Sequence, residues 1–245
     1  MRTKLHHKIK KAVATPEYTK ILILRTIGNF LIFTSVFMII KTFYLPLREE
    51  IRFSVEQYFG KKYVVSDAKN PNDQVPISKE APKGTFAKLL NIKPVEILRP
   101  EDPNFSIVVP KIGANARIIA NVDASNESVY LAALKKGVAQ VEGSAYPGEG
   151  GHIFLFAHST DYIWNVGSYN AIFYLLYKLD KGDQINLYYK GQRYAYSVID
   201  KKTVDPSQVE YLTRKTNKEF LTLQTCWPPG TTLKRLLVFA TRVVE

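Results

Sequence analysis

The chain has 245 residues and a formal net charge of +12, with 46% of residues hydrophobic and 23% charged. That balance excludes wholesale disorder, and a mean hydropathy of −0.13 excludes a polytopic membrane protein while leaving room for one span. Through Leu45 eight Lys/Arg stand against one acid, leaving 26 against 21 in the rest, so the basicity is local and does not indicate a nucleic-acid partner.

Residues 1–20 form a basic tail with Arg2, Lys4, Lys8, Lys10, Lys11 and Lys20, and His6 and His7 lie within it. From Thr26 to Ile40 there is no charge for 15 residues. As a helix that stretch spans about 22 Å, short of the roughly 30 Å hydrocarbon core of a bilayer. Arg25 and Lys41 can snorkel, which extends the span to 21–45, and Phe43 and Tyr44 then sit at an interface. A cleaved signal peptide has an apolar core of similar length, but its leader is shorter, and no A-x-A site follows Ile40. The expectation is an uncleaved single-pass membrane anchor, with the basic N-terminus cytoplasmic and the following domain extracellular.

Residues 46–103 read as a juxtamembrane helix and a Pro-rich linker. Pro46 is expected to close the apolar run. Leu47, Ile51, Val55 and Tyr58 then recur at helical spacing before Gly60. Beyond Lys61 the chain is broken by Pro71, Pro76, Pro82, Pro94, Pro100 and Pro103. Few strands are expected there, with one helical turn near Phe86–Leu90.

Residues 104–245 are β-rich. FSIVVP (105–110), ARIIANV (116–122), HIFLFAH (152–158), QINLYYK (184–190), RYAYSVID (193–200), EFLTLQT (219–225) and LLVFATRVV (236–244) are short runs of β-branched, aromatic and aliphatic residues. Lys111-Ile112-Gly113, Lys181-Gly182-Asp183 and Lys190-Gly191-Gln192 mark turns. Helices are expected at Val129–Lys136 and near Ala171–Leu179. The pieces fit a mostly antiparallel closed barrel of seven to eight strands with short helices at its rim.

Cys226 is the one cysteine, which excludes an intramolecular disulfide and CxxC-type zinc sites. It ends a strand, because Pro228 and Pro229 cannot continue a ladder. His158 also ends a strand and is followed by polar Ser159-Thr160-Asp161. A thiol becomes a nucleophile at neutral pH when a cation or base lies beside it. Arg235, nine residues after Cys226, would return beside it on an antiparallel strand, where a guanidinium can hold an oxyanion. Leu233, Arg235, Leu237 and Phe239 share one strand face, and that face is expected to lean inward. His152 is the rival histidine at the other end of its strand.

TLQTC (222–226) followed by WPPGTTLKR (227–235) resembles the sortase signature. IVVPKIGANARIIANVD (107–123), LKKGVAQVEGSAYPGEGGHIFLFAHS (134–159) and KLDKGDQINLYYKGQRYAYSVIDKKTVDP (178–206) resemble further sortase segments. Ala157 stands before His158 where family members commonly have Gly. The resemblance implies a mostly β, sortase-like barrel in which Cys226, His158 and Arg235 are catalytic. It also implies a transpeptidase that cleaves an LPxTG-like sorting signal of a secreted protein through a thioacyl intermediate. The acceptor would be a cell-wall or pilin amine, with no cofactor and no metal. Thr225 and Trp227 are candidates for substrate contact, and Asp161 for orienting His158. Tyr162, Trp164, Tyr169 and Phe173 could line a peptide groove. Asp102-Pro103-Asn104-Phe105 faintly resembles the lid motif of pilus-building sortases, and reads more simply as a linker turn. Two other readings stay open: a surface cysteine peptidase without transpeptidation, and a catalytically silent binding module.

Overall fold

The computed structural model describes residues 16–65, 95–159 and 172–243. The chain divides into two compact units, Met1–Arg48 and Glu49–Glu245. Helix α1 runs from Pro16 to Tyr58. Proline at its first position suits a helix start, where the missing N–H has no intrahelical partner anyway. The stretch Pro16–Lys41 is long and apolar enough to cross a membrane, and none of it is buried by protein. Its 26 residues correspond to about 39 Å of helix, more than a hydrocarbon core requires.

Pro46 does not close this helix but lies inside it. Proline forfeits one hydrogen bond there, and the turns that follow carry their own pairs. Arg52 bridges Glu49 at 2.7 Å and Glu56 at 3.4 Å, spacings of three and four residues. Past the helix end, Gly60 adopts φ 62°, the left-handed conformation that glycine takes without a Cβ clash. Strands β1 (Lys62–Val65) and β2 (Val95–Leu98) form a separate parallel pair. The expected turn near Phe86–Leu90 lies outside the described residues.

Eight further strands close a barrel. They are β3 (Phe105–Val109), β4 (Ala114–Val122), β5 (Val138–Val141), β6 (His152–Phe156), β7 (Gln184–Tyr189), β8 (Gln192–Val204), β9 (Phe220–Trp227) and β10 (Lys234–Arg242). Their order around the barrel is β10-β8-β7-β3-β4-β5-β6-β9. The β4–β5 and β6–β9 pairs are parallel and the rest antiparallel. The strand that sequence reading leaves out is β5, which joins β4 to β6.

One face of every strand fills the interior. Ile107, Ile118, Val138, Ile153, Leu187 and Leu221 are among its buried residues. A second cluster lies on the outer face of β6, β9 and β10, where Phe154, Leu237 and Phe239 are covered together with Val204, Tyr211 and Leu212. Both faces of β6 and β10 therefore carry apolar residues, and β6 is buried on both sides.

Helix α2 (Glu127–Leu134) starts two residues earlier than expected because Asn126 caps it, accepting the Val129 N–H at 3.4 Å. Glu127 then occupies the first turn, where the helix dipole favours an acid. The second expected helix is a 3-10 turn at Tyr174–Lys178. Its consecutive residues Tyr174, Leu175 and Leu176 are all buried, a pattern that a one-sided surface α-helix cannot supply.

Candidate active site

The site follows from strand register. On the antiparallel β9–β10 ladder, Cys226 is paired with Arg235, one rung before the end. Directly opposed residues carry their Cβ atoms about 4.5–5.5 Å apart on the same face. On its other side β9 runs parallel to β6, with Phe156 opposite Gln224. The pairing continues past β6: the Ala157 N–H donates to the Gln224 carbonyl at 3.1 Å, and the Thr225 hydroxyl donates to the Ala157 carbonyl at 2.9 Å. Two residues beyond Phe156 and two beyond Gln224 stand His158 and Cys226.

Alternation places Cys226, Gln224 and Thr222 on one face of β9 with Arg235, Leu237 and Phe239 of β10. This face lies outside the barrel, since Leu236, Val238 and Ala240 fill the interior. The expected inward lean of Arg235 is thus reversed. Leu237 and Phe239 on its face are apolar because the β8–β9 connection covers them with Tyr211 and Leu212.

Cys226, His158 and Arg235 all line one cleft of about 360 Å³. Its floor is the end of β6 and β9. One wall is α2, with Glu127, Tyr130 and Leu131, and the other is the β8–β9 connection, with Asp205, Gln208 and Val209. Sequence reading does not supply these walls. The helical spacing of α2 makes it a helix but not a wall, and nothing in residues 205–213 marks them as one side of a groove before the chain is folded.

Cys226 is half-buried and lines the cleft. The Arg235 guanidinium is steadied by its own loop, Nη1 donating to the carbonyls of Thr232 at 3.1 Å and Lys234 at 3.2 Å. Thr231 closes that loop with a bond from its hydroxyl to the Pro228 carbonyl at 2.8 Å.

Thr225 alternates to the other face of β9 from Cys226 and is 3% exposed, and it lines the same cleft. Its hydroxyl ties β9 to the residue before His158. Trp227 packs against the interior cluster, with its ring 5.2 Å from that of Tyr177. Phe173 is fully buried in the core, and the cleft's aromatic lining comes instead from Tyr130 and Phe156. Asp161, Tyr162, Trp164 and Tyr169 lie outside the described residues. Asp102 forms a turn by accepting the Asn104 N–H at 2.8 Å, and the Pro103 and Asn104 carbonyls accept from Gly191 and Lys190 of the β7–β8 hairpin. That is the linker turn, and its residues do not line the cleft.

His152 is buried at the far end of β6, between Phe154 and Phe220, with Nε2 2.8 Å from the Thr222 hydroxyl. Desolvation, followed by the nearby charge of Arg214, holds its pKa down at about 4. Neutral and enclosed, it is a packing residue. Among the described residues, no group of three or more His, Cys, Asp or Glu is placed to hold a metal ion.

A sortase domain model matches residues 107–243, more than half of the chain. The chain belongs to the sortase family. Sortase D of Bacillus subtilis (strain 168) is 31% identical over 138 residues, which cover 55% of this chain and 61% of that protein. The chain thus spans about three fifths of that sortase's length. Among solved structures, sortase C-1 from Actinomyces oris is 32% identical, covering 59% of this chain and 76% of that one at a TM-score of 0.49. A lid mutant of sortase A from Corynebacterium diphtheriae is 27% identical, covering 59% and 72% at 0.48. Sortases are cysteine transpeptidases, and this sortase has one cysteine, at the cleft.

Proposed function

We propose that this sortase is a membrane-anchored cysteine transpeptidase that cleaves an LPxTG-like sorting signal and joins the released carboxyl end to a cell-wall or pilin amine. The observation that carries this reading is the meeting of Cys226, His158 and Arg235 in one cleft, with Cys226 and Arg235 paired on the β9–β10 ladder and His158 two residues past the last β6–β9 pair.

The Cys226 thiolate attacks the scissile carbonyl and forms a C–S bond. Arg235 donates to the resulting oxyanion, or to the substrate backbone beside it. The tetrahedral intermediate collapses by breaking the C–N bond, and His158 gives the leaving amine its proton. A thioester on Cys226 remains. The acceptor amine loses a proton to His158 as it attacks, the new C–N bond forms, and the thiolate is released. Atoms and protons balance over the cycle, with no oxidant or reductant required.

The apolar stretch within Pro16–Lys41 supports anchoring by one span. The excess of Lys/Arg before it supports a cytoplasmic N-terminus and an extracellular barrel.

The test is a quenched LPxTG-type peptide incubated with the full-length protein, with and without an amine acceptor. The expected results are a ligated product when the amine is present and a thioester on Cys226 visible by intact mass. Cys226→Ala should abolish both. Cleavage that persists in Cys226→Ala would overturn the reading, and cleavage without any amine-dependent ligation would make the protein a peptidase.

A further inference from the structure

The part of α1 that belongs to the barrel unit holds it at three points. Glu50 accepts a hydrogen bond from the Tyr177 hydroxyl and pairs with Lys178 at 3.2 Å. Arg52 Nη2 donates to the Ile112 carbonyl at 3.2 Å. Phe53 packs on the interior cluster, and the Lys178 ammonium lies 5.3 Å from its ring centre. Glu50 and Phe53 are three residues apart and so share a helix face.

Tyr177 links this contact to the cleft. Its ring meets the Trp227 indole at 5.2 Å and an interplanar angle of 51°. Its carbonyl is held by Lys201 Nζ at 2.8 Å. Trp227 is the residue after Cys226, on the opposite face of β9. At that point the strand has lost its neighbour on one side, because β6 ends at Phe156 while β9 continues to Trp227. The last rung, Lys234 with Trp227, rests on β10 alone. An indole clamped by the Tyr177 ring supplies the constraint that a second ladder gives elsewhere. The Tyr177 phenol is locked in turn by a charge-assisted bond, which is stronger and more directional than a neutral one.

The geometry points to Glu50 and Tyr177 as positioning residues: a Glu50–Tyr177–Trp227 chain sets where the end of β9 lies, and so makes the placement of Cys226 and Arg235 depend on the docked turn of α1. This rests on Cys226 being the nucleophile. It goes further in giving the juxtamembrane helix a part in the reaction, beyond tethering the barrel.

The experiment uses the full-length protein in phospholipid vesicles and compares wild type with Tyr177→Phe, Glu50→Ala and Glu50→Gln. Three quantities are read: kcat and KM for peptide ligation, the thermal midpoint, and the pH profile of iodoacetamide alkylation, which reports one site because Cys226 is the one cysteine. Tyr177→Phe keeps the ring contact with Trp227 and loses only the hydroxyl. It and Glu50→Ala should lower kcat about tenfold with KM nearly unchanged, since small displacements of a nucleophile act on the chemical step. Both should shift the alkylation profile while the thermal midpoint stays near wild type. Glu50→Gln, whose amide oxygen still accepts the phenol proton, should restore much of the loss. Wild-type kcat and a wild-type alkylation profile in Tyr177→Phe and Glu50→Ala would overturn the proposal. So would losses that track the thermal midpoint alone, or a Glu50→Gln no better than Glu50→Ala. If wild type forms no thioester, the catalytic reading itself falls, whereas the alkylation profile still decides the positioning.

Discussion

Cys226 and Arg235 face each other across a single rung of the β9–β10 ladder, on the outer face of the barrel. Eight residues of sequence separate them, and the loop between them carries Pro228 and Pro229. The ladder therefore fixes how far apart the two side chains leave the backbone, and the loop carbonyls of Thr232 and Lys234 hold the guanidinium. Substrate need not organise this pair on binding, which lowers the reorganisation that the reaction demands.

Arg235→Ala should lower kcat/KM by about 10²–10³, the typical loss for one oxyanion donor. Arg235→Lys should recover only part of it, because an ammonium lacks the planar fork. Lys234→Ala serves as the control and should be near neutral, since Lys234 is exposed and alternates to the other face. Steady-state ligation kinetics decide the matter. A crippled Lys234→Ala beside an active Arg235→Ala would mean that Lys234, and not Arg235, stands opposite the thiol.

Thr225→Val should act through His158 rather than through substrate contact. It removes the hydroxyl that donates to the Ala157 carbonyl inside the protein. Leaving that buried acceptor unpaired costs about 1–3 kcal/mol, measurable by urea unfolding, and should lower kcat with little change in KM. Thr225→Ser should retain most of both. A rise in KM with unchanged stability would instead give Thr225 the substrate-contacting role expected from sequence.

Seven of the barrel strands are legible because their runs are rich in β-branched and aromatic residues. The eighth, β5, is not. Val138–Val141 is four residues long, contains Gln140, and is held to β6 by only two aligned pairs. Its entry depends on Gly137, where a Cβ would lie 2.4 Å from the Arg117 carbonyl. That approach of two backbones is tertiary and leaves no local periodicity. Cys226, His158 and Arg235 are legible as strand ends plus a family signature. The face carrying Arg235 is not, for a definite reason: β10 is apolar on both sides, so alternation cannot say which side is the interior. The cover supplied by Tyr211 and Leu212 decides it, and both come from a connection with no strand pattern of its own. Pro46 is the other departure, since a proline reads as a stop, whereas this helix carries the loss of one bond.

The anchor reading predicts a single span with the barrel outside. Protease added to intact cells should digest the barrel, and the N-terminal tail should survive with the membrane fraction. A barrel protected from external protease, or a mature chain beginning near residue 45, would contradict it.

His152 should govern the acid sensitivity of the fold and not the reaction. Its imidazole is buried beside Phe154 and Phe220, and its pKa lies at about 4 against 6.5 in an unfolded chain. The unfolded state thus binds a proton between these two values while the folded state refuses it. Stability is complete above pH 6.5, declines as pH falls towards 4, and levels off below that. Between pH 7 and pH 5 the loss from this one group is about 2 kcal/mol. His152→Gln can keep a hydrogen bond to the Thr222 hydroxyl without titrating. Urea unfolding at the two pH values should show a decline in wild type that is smaller in His152→Gln by about this amount. At pH 7 the same variant should ligate peptide at close to the wild-type rate, because the ring sits at the end of β6 remote from Cys226. His158→Ala should show the reverse, with ligation lost and the pH dependence of unfolding retained. An inactive, stable His152→Gln protein would mean that the base had been assigned to the wrong end of the strand.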